Sequence, residues 1–423
     1  MVACIPFFYL GLNSGFSTEY IYQQDFNNTM TEDIQSWIGS SGIMFSFISS
    51  LVSGYLIDKF GRKTLLYYIY GIHIVGWMII AKMKKILIGR LILSLANGAG
   101  YVSTVYLAEI LQPQHRGAFL NLKPVLEIFG SLFVYLSGLY VSIETISFAI
   151  SICALILFSC VFFMPETPYW YVLKKRKDRA TESLIWLRNK DDLKIIYEIN
   201  EIEKSLDEDV LTFKKTILKI KWWKTFLLFS IYMLLLEFTG FDMIIPYAVQ
   251  FFGKFNRTAI DNRIIGIIFI SSAFIGAIVT VCITEKFKRI SLVKSGHILN
   301  IFVLVLSGFC EAYFHSVEFS IVSLTCICIY GSTISIVAYG LPTTIITENL
   351  PTEARATIFS SLSTEFYLIY FFVVKFFPII LANVPIYYVI WSIALFSLFN
   401  YIFIHNFLKE TRGTVLPGNK DYT

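Results

Sequence analysis

Charge is what this sequence has least of. Asp, Glu, Lys and Arg make up 15% of its 423 residues, where soluble domains carry roughly 25%. With 56% of residues apolar, a single water-soluble core is excluded, because one globule has no use for that much apolar sequence. The net charge is only +5 and the basic residues gather in a few loops, which argues against a nucleic-acid surface. Cysteine is sparse as well. Cys4, Cys153, Cys160, Cys282, Cys310, Cys326 and Cys328 fall nearly all in apolar runs, with no C-x-x-C pair and no histidine at zinc-site spacing. They read as free thiols acting as small apolar side chains, so no metal is expected. Phosphate-cradling glycine loops and nucleophile–base constellations are missing too, so neither an enzyme nor a cofactor is expected. Residues 1–16 have no basic lead and no clear small-residue cleavage site. They read as a short first span, and the abrupt start leads us to expect a longer natural N-terminus.

In place of charge there are long apolar runs. A spanning helix needs about 20 mostly apolar residues, because each backbone polar group must be satisfied within it. The runs predict spans at 2–17, 36–57, 65–81, 86–108, 117–141, 144–164, 225–252, 264–283, 291–313, 319–347, 356–380 and 384–407. The expected fold class is therefore an all-α polytopic membrane protein of about twelve transmembrane helices. A polar, helix-prone stretch at 165–224 divides them into a six-helix half, 1–164, and a second, 225–408, followed by a tail, 409–423. With both termini cytoplasmic, 26 of the 35 lysines and arginines lie on the inner side, as the positive-inside rule requires. The outer side carries Lys82, Lys84, Lys85, Arg90, Lys254, Arg257 and Arg263. Glycosylation sequons at Asn27 and Asn256 both fall in loops expected outside, where a glycan can be attached.

Two halves around a large central loop is the architecture of a rocking transporter, with substrate held near the membrane midplane. Internal repetition supports it. "GYLIDKFGRKTLL", residues 54–66, follows span 2, and "VCITEKFKRISLV", residues 281–293, follows span 8. "YLAEILQPQHRGA" ends span 4 and "IITENLPTEARAT" ends span 10, matching Glu109 with Glu348, Pro113 with Pro351 and Arg116 with Arg355. Gly61 permits a tight turn. Arg62 and Lys63 then stand at helix ends near Glu109 and Glu166, with Asp58 beside them and Arg116 joining from the next loop. Together with Glu348 and Arg355 they form an expected cytoplasmic gate, holding the halves together until they rock apart. The plainer alternative is that these charges only enforce topology. Single exposed pairs contribute about 0–1 kcal/mol, but a partly desolvated network biases an equilibrium of a few kcal/mol.

Ionisable residues inside spans are costly and default to functional candidates. Here they are Lys123, Glu127, Glu237, Asp242, Glu365 and Lys375. Lys123 and Glu127 are four apart and able to pair on one helix face. Glu237 and Asp242 flank "FTGF", where Gly240 is expected to break the helix and open its backbone to a cavity.

At these residues the sequence resembles the sugar porter family of the major facilitator superfamily, in particular its insect trehalose-transporting branch. "DKFGRK" fits the loop after span 2, "VYLAEILQPQHRG" the end of span 4, "PETPYW" the loop after span 6 apart from Tyr169 in place of arginine, and "KETRG" the closing motif. The resemblance implies the major facilitator fold and facilitative transport of a sugar, trehalose or a hexose, across the plasma membrane by alternating access. It implies substrate contacts at Glu237, Thr239, Gly240, Asp242, Tyr247, Thr343 and Tyr367. The departures matter for substrate. Leu236 and Glu237 stand where the family has glutamines, and Asp242 where it has asparagine; Thr343 and Tyr367 stand where it has tryptophans. Tyr247 and Tyr339 offer aromatic surface instead. The second-half loop carries Thr284 in place of the aspartate and Phe287 in place of the glycine. Proton-driven relatives have an aspartate in span 1; this one has Asn13 and Ser14 and no acid before Glu19, which favours facilitated diffusion, with Glu237 and Asp242 left as acids able to take a proton. The expected partners are a small-molecule sugar and the lipid bilayer. The alternatives are a divergent porter for another small polar solute and a transporter-fold sensor that binds without transporting.

Overall fold

The computed structural model describes residues 2–24, 30–83, 85–111, 119, 122–188, 192–208, 220–255, 260–284, 286–314, 316–349, 355–408 and 410. Among them every regular element is helical. The first half contains α1 (Ile5–Gln24), α2 (Glu32–Ser41), α3 (Ser46–Phe60), α4 (Arg62–Met78), α5 (Ile86–Ala99), α6 (Tyr101–Ile110), α7 (Leu122–Gly138) and α8 (Ile143–Val161). Three short helices follow: α9 (Pro168–Leu173), α10 (Lys177–Arg188) and α11 (Asp192–Glu208). The second half contains α12 (Ile220–Glu237), α13 (Phe241–Ile244), α14 (Ala248–Gly253), α15 (Asn262–Ile283), α16 (Arg289–Tyr313), α17 (Val317–Ile334), α18 (Leu341–Asn349), α19 (Arg355–Asn383) and α20 (Ile386–Phe407).

Among the described residues, nine helical stretches are long and apolar enough to cross a membrane, and a tenth is a pair, Trp223–Glu237 with Phe241–Gly253, bent by 44°. α1 and α7 occupy the places of the remaining two expected spans and lie against each other. A Cβ on Gly11 would stand 1.7 Å from the Glu127 carbonyl oxygen, and one on Gly130 2.2 Å from that of Phe8. Glycine at both contacts is what lets two backbones approach this closely within a membrane. Span 1 is predicted to stop at 17, yet α1 runs on to Gln24. Glu19 is the reason: its buried carboxylate meets Arg263 at 2.6 Å, so the charge that marks a boundary in sequence is neutralised in the fold.

Side chains such as Ile298, Phe302 and Val305 on α16, and Leu395, Phe399 and Ile402 on α20, are exposed. In water such a face would drive aggregation; here it meets lipid. α9 to α11 pack a small core of their own, with Ala180, Leu184, Ile195, Ile199 and Ile202 buried together.

Among the described residues four spans are interrupted, one of them span 4, which turns at Gly100 between α5 and α6. The second breaks at 42–45 between α2 and α3, and the seventh at Gly240. The tenth carries a wide turn, Ser335–Gly340, just before α18. Pro342 has no N–H to give the Ala338 carbonyl, which favours that widened turn. Irregular backbone at membrane depth is tolerated where protein buries it or a cavity hydrates it, so these breaks point to the interior.

Candidate functional site

Gly61 takes φ +97°, a backbone conformation that side chains resist. The turn aims the first N–H groups of α4 at one carboxylate. Glu166 Oε1 accepts from Arg62 N at 3.1 Å, and Oε2 accepts from Lys63 N at 3.0 Å. Arg62 Nη2 donates to Glu109 Oε1 at 2.8 Å, and Nη1 lies 3.3 Å from Asp58 Oδ1. Thr167 Oγ1 donates to Glu109 Oε2 at 2.6 Å while capping α9, whose first residue is Pro168. The "PETP" motif is thereby accounted for: Glu166 caps α4, Thr167 caps α9 and holds Glu109, and Pro168 starts the helix where its missing N–H costs nothing. Burial pushes the Glu166 carboxyl above its ordinary value, against the opposing pull of the Thr167 and Lys63 backbone N–H groups and of Arg62.

The sequence expectation is a network that ties the two halves together. The members described here, Asp58, Gly61, Arg62, Lys63, Glu109 and Glu166, all belong to the first half and the segment just after it. Arg116 and the side chains of Glu348 and Arg355 lie outside the described residues, as do Asn27 and Asn256. The same cap recurs in the second half. Glu410 Oε1 accepts from Arg289 N at 3.0 Å, and its Oε2 from Ile290 N at 3.1 Å, at the start of α16. Arg289 thus answers to Arg62, which places Lys288, not Phe287, opposite Gly61. Lys288 has φ −65° and extended backbone, so the second turn is made without a glycine.

Polar links between the halves gather at the opposite end of the bundle. Arg263 Nη2 meets Glu19 at 2.6 Å and donates to the Gly138 carbonyl at 2.6 Å. Thr18 and Tyr135 donate to the Ile245 carbonyl at 2.7 and 2.5 Å. Lys375 reaches Asp33 at 3.3 Å and Ser36 at 2.8 Å, with its ammonium over the Trp37 ring. Tyr247 is fully buried here, donating to the Val374 carbonyl at 3.1 Å and pressed against Gly39. It is packed into the contact between halves and does not present an open aromatic face.

Arg90, counted with the outer loops from sequence, lies buried inside the bundle. It donates to the Asn13 and Gly39 carbonyls at 3.2 and 3.1 Å. Asn13 and Asn97 donate to the Gly42 carbonyl beside it. α1 supplies the Asn13 carbonyl and the end of α2 that of Gly39, and the negative end of α2 suits a cation. The rule that flags charge within a span would have found this residue, because Arg90 stands inside the apolar run 86–108.

Several of the remaining candidates meet mid-bundle at the Gly240 break. Gly240 has φ +97° and lies so close to Ile393 that a Cβ would clash at 2.7 Å. Before it, Glu237 is buried, and its Oε2 has no hydrogen-bond partner. The Thr239 carbonyl accepts from Tyr330, and Asp242 Oδ1 accepts from Tyr339 on the wide turn of span 10. Lys123 and Glu127 of α7 lie within electrostatic reach of Asp242. Tyr367 on α19 donates across to the Asn97 carbonyl of α5 at 3.0 Å. Thr343 bonds back to the Gly340 carbonyl at 3.1 Å, a local helix contact. Glu365 accepts from Ser230 at 2.5 Å. Spans 4, 5, 7, 10 and 11 therefore converge on one polar centre with acceptors, donors and tyrosine rings.

The sequence matches the Sugar (and other) transporter family over residues 1–418. The facilitated trehalose transporter Tret1 of Bombyx mori is 27% identical over 423 residues, covering 96% of this chain and 82% of the relative. That of Apis mellifera ligustica is 26% identical over 427 residues, covering 96% and 84%. Among solved structures, the proton:xylose symporter XylE bound to 6-bromo-6-deoxy-D-glucose gives a TM-score of 0.81 at 17% identity, covering 98% of this chain and 96% of that one. The inward-open XylE of E. coli gives 0.79, covering 98% and 97%. At this identity the structural likeness is one of fold, the major facilitator arrangement of two six-helix halves. The match along nearly the whole sequence settles the family: the chain belongs to the Sugar (and other) transporter family.

Proposed function

We propose that the chain carries a sugar, trehalose or a hexose, down its gradient by alternating access. The observation that carries this reading is the break at Gly240, which sets Glu237, Thr239 and Asp242 amid polar groups from both halves. A sugar leaving water needs its hydroxyls met by such groups and its apolar faces met by rings. Glu237, Thr239, Gly240, Asp242 and Tyr367 are the proposed contacts. Thr343 and Tyr247 have a supporting part, since one bonds within its helix and the other packs between halves. The facilitated trehalose transporters among the relatives support the substrate class and the downhill mode.

In this reading the halves 1–164 and 225–408 rock about that centre, with 165–224 as the connecting segment and 409–423 as the tail. Both termini face the cytoplasm of a cell whose plasma membrane holds the protein, and Asn27 and Asn256 face outside. The Arg62–Glu109–Glu166 cluster, with Asp58, Gly61 and Lys63, braces the first half at its cytoplasmic end; Arg116, Glu348 and Arg355 complete the gate as the halves close there. The Glu19–Arg263 and Asp33–Lys375 pairs close the outer end. Purified protein in liposomes tests this with labelled trehalose and glucose. We expect saturable uptake that unlabelled sugar competes, and trans-acceleration by sugar inside. Sugar binding without exchange would select a sensor, and absence of any sugar uptake would sink the reading.

A further inference from the structure

We propose that Glu237 and Asp242 hold one proton between them, and that this singly protonated pair is the form that binds the sugar. The inference rests on the transport reading above and adds a linkage between sugar and proton. It begins with geometry. Five residues apart, the two acids straddle the helix break at Gly240. Asp242 has a donor, Tyr339. Glu237 is only 3% exposed, and its Oε2 has none. A bare carboxylate oxygen at that depth is costly, and a second negative charge beside it adds to the cost. A proton taken from water onto Glu237 Oε2 removes one charge and leaves the hydrogen-bonded Asp242 as the anion.

Neighbouring groups leave this arrangement intact. The titratable side chains facing the pair are Lys123 and Glu127 from α7, Tyr330 from α17, Tyr339 from the wide turn, and Tyr367 and Tyr370 from α19. Lys123 attracts both Glu127 and Asp242. It stands one helical turn from Glu127, so its single charge is shared. The tyrosines are neutral donors.

The chemistry of a sugar then decides which form binds. A neutral sugar brings hydroxyls that both donate and accept, and no charge to offset a second carboxylate. Ionised, Glu237 is acceptor-only. Protonated, it presents one O–H donor and one carbonyl acceptor, the pattern of a glutamine amide. The protonated pair therefore meets a hydroxyl with a donor, an acceptor and one anion.

The test is sugar exchange at equilibrium by the full chain in liposomes, from about pH 5.5 to about pH 8, using labelled trehalose and glucose. A single linked proton makes the half-saturating sugar concentration climb by up to about tenfold per pH unit above the midpoint. Glu237→Gln, which has a permanent amide, is expected to flatten that profile. In weakly buffered detergent solution, adding sugar to the native protein should draw protons from the medium, and this measurement stands even where the variant fails to fold. A flat native profile with sugar exchange intact, or no proton uptake on binding, would overturn the proposal. So would a Glu237→Gln profile as steep as the native one. Absence of exchange at every pH would instead overturn the transport reading on which it rests.

Discussion

The two halves build the same turn with different chemistry. In each, a carboxylate from the segment after the half's sixth span takes the first two N–H groups of its third span: Glu166 with Arg62 and Lys63, Glu410 with Arg289 and Ile290. The first copy adds a left-handed glycine, a buried arginine–glutamate pair and a second cap, Thr167, bonded to that glutamate. The second replaces the glycine with Lys288 in ordinary extended backbone. The carboxylate cap is the shared minimum, since four N–H groups at a helix start need acceptors whatever else changes. What differs among the described residues is the backbone: the first turn is a left-handed brace, and the second is made in ordinary extended backbone.

Arg62→Ala is the most severe way to break this contrast. Arg62 and Glu109 side chains are 9% and 13% exposed, and stranding one member of a buried pair costs about 3–5 kcal/mol. We expect a large fall in thermal stability and loss of most uptake. Arg62→Lys should recover only part, because a lysine cannot reach Glu109 and the Ile57 carbonyl as a fork does. Gly61→Ala follows. It forces φ +97° on a residue with a Cβ that would stand 2.2 Å from Glu166 Oε2, at a cost of about 2 kcal/mol. Lys288→Gly, its counterpart, should shift stability by about 0.5 kcal/mol or less. Thermal unfolding of both in detergent checks the pair; equal effects would erase the proposed difference between the left-handed and the extended turn.

The twelve-span plan was legible because lipid leaves helices few alternatives, and apolar length alone reports a crossing. The α4 cap was half legible: its residues stood out as charge beside a glycine, but sequence spacing does not say which half a carboxylate joins. Glu166 therefore looked like a link between halves, and in three dimensions it closes its own. The second copy was read one residue out of step, although the paired segments 54–66 and 281–293 already set Phe60 against Phe287 and Gly61 against Lys288; Arg289 giving its N–H to Glu410 shows the same register. Arg90 and Arg263 were assigned to loops because a count by loop treats every arginine as solvated. Their partners, the Asn13 and Gly39 carbonyls and Glu19, lie far off in sequence, and only packing brings them together.

Glu166→Ala against Glu410→Ala gives a smaller, sharper comparison. Glu166 takes N–H groups from Arg62, Lys63 and Thr167 and Glu410 from Arg289 and Ile290, so the loss of either should cost about 1–2 kcal/mol. The cost should appear in the thermal midpoint of each variant, and as a fall in uptake.

The smallest effect concerns pH, and it asks which influence on Glu166 prevails. Burial raises its carboxyl above the ordinary 4.5, while the N–H groups and Arg62 pull the other way. A carboxyl raised in the folded state binds its proton more tightly there than in the unfolded chain. Its contribution to stability is thus fully present below about pH 4.5 and fades as pH rises through the folded value. Measured against Glu166→Gln, which does not titrate, the native protein should gain relative stability on acidification. If the native advantage instead grows with rising pH, the N–H groups and Arg62 outweigh burial, and the brace is held by a full carboxylate charge. Either slope assigns the dominant force at the turn, and the variant's amide keeps one acceptor for the Arg62 and Lys63 N–H groups while that force is read.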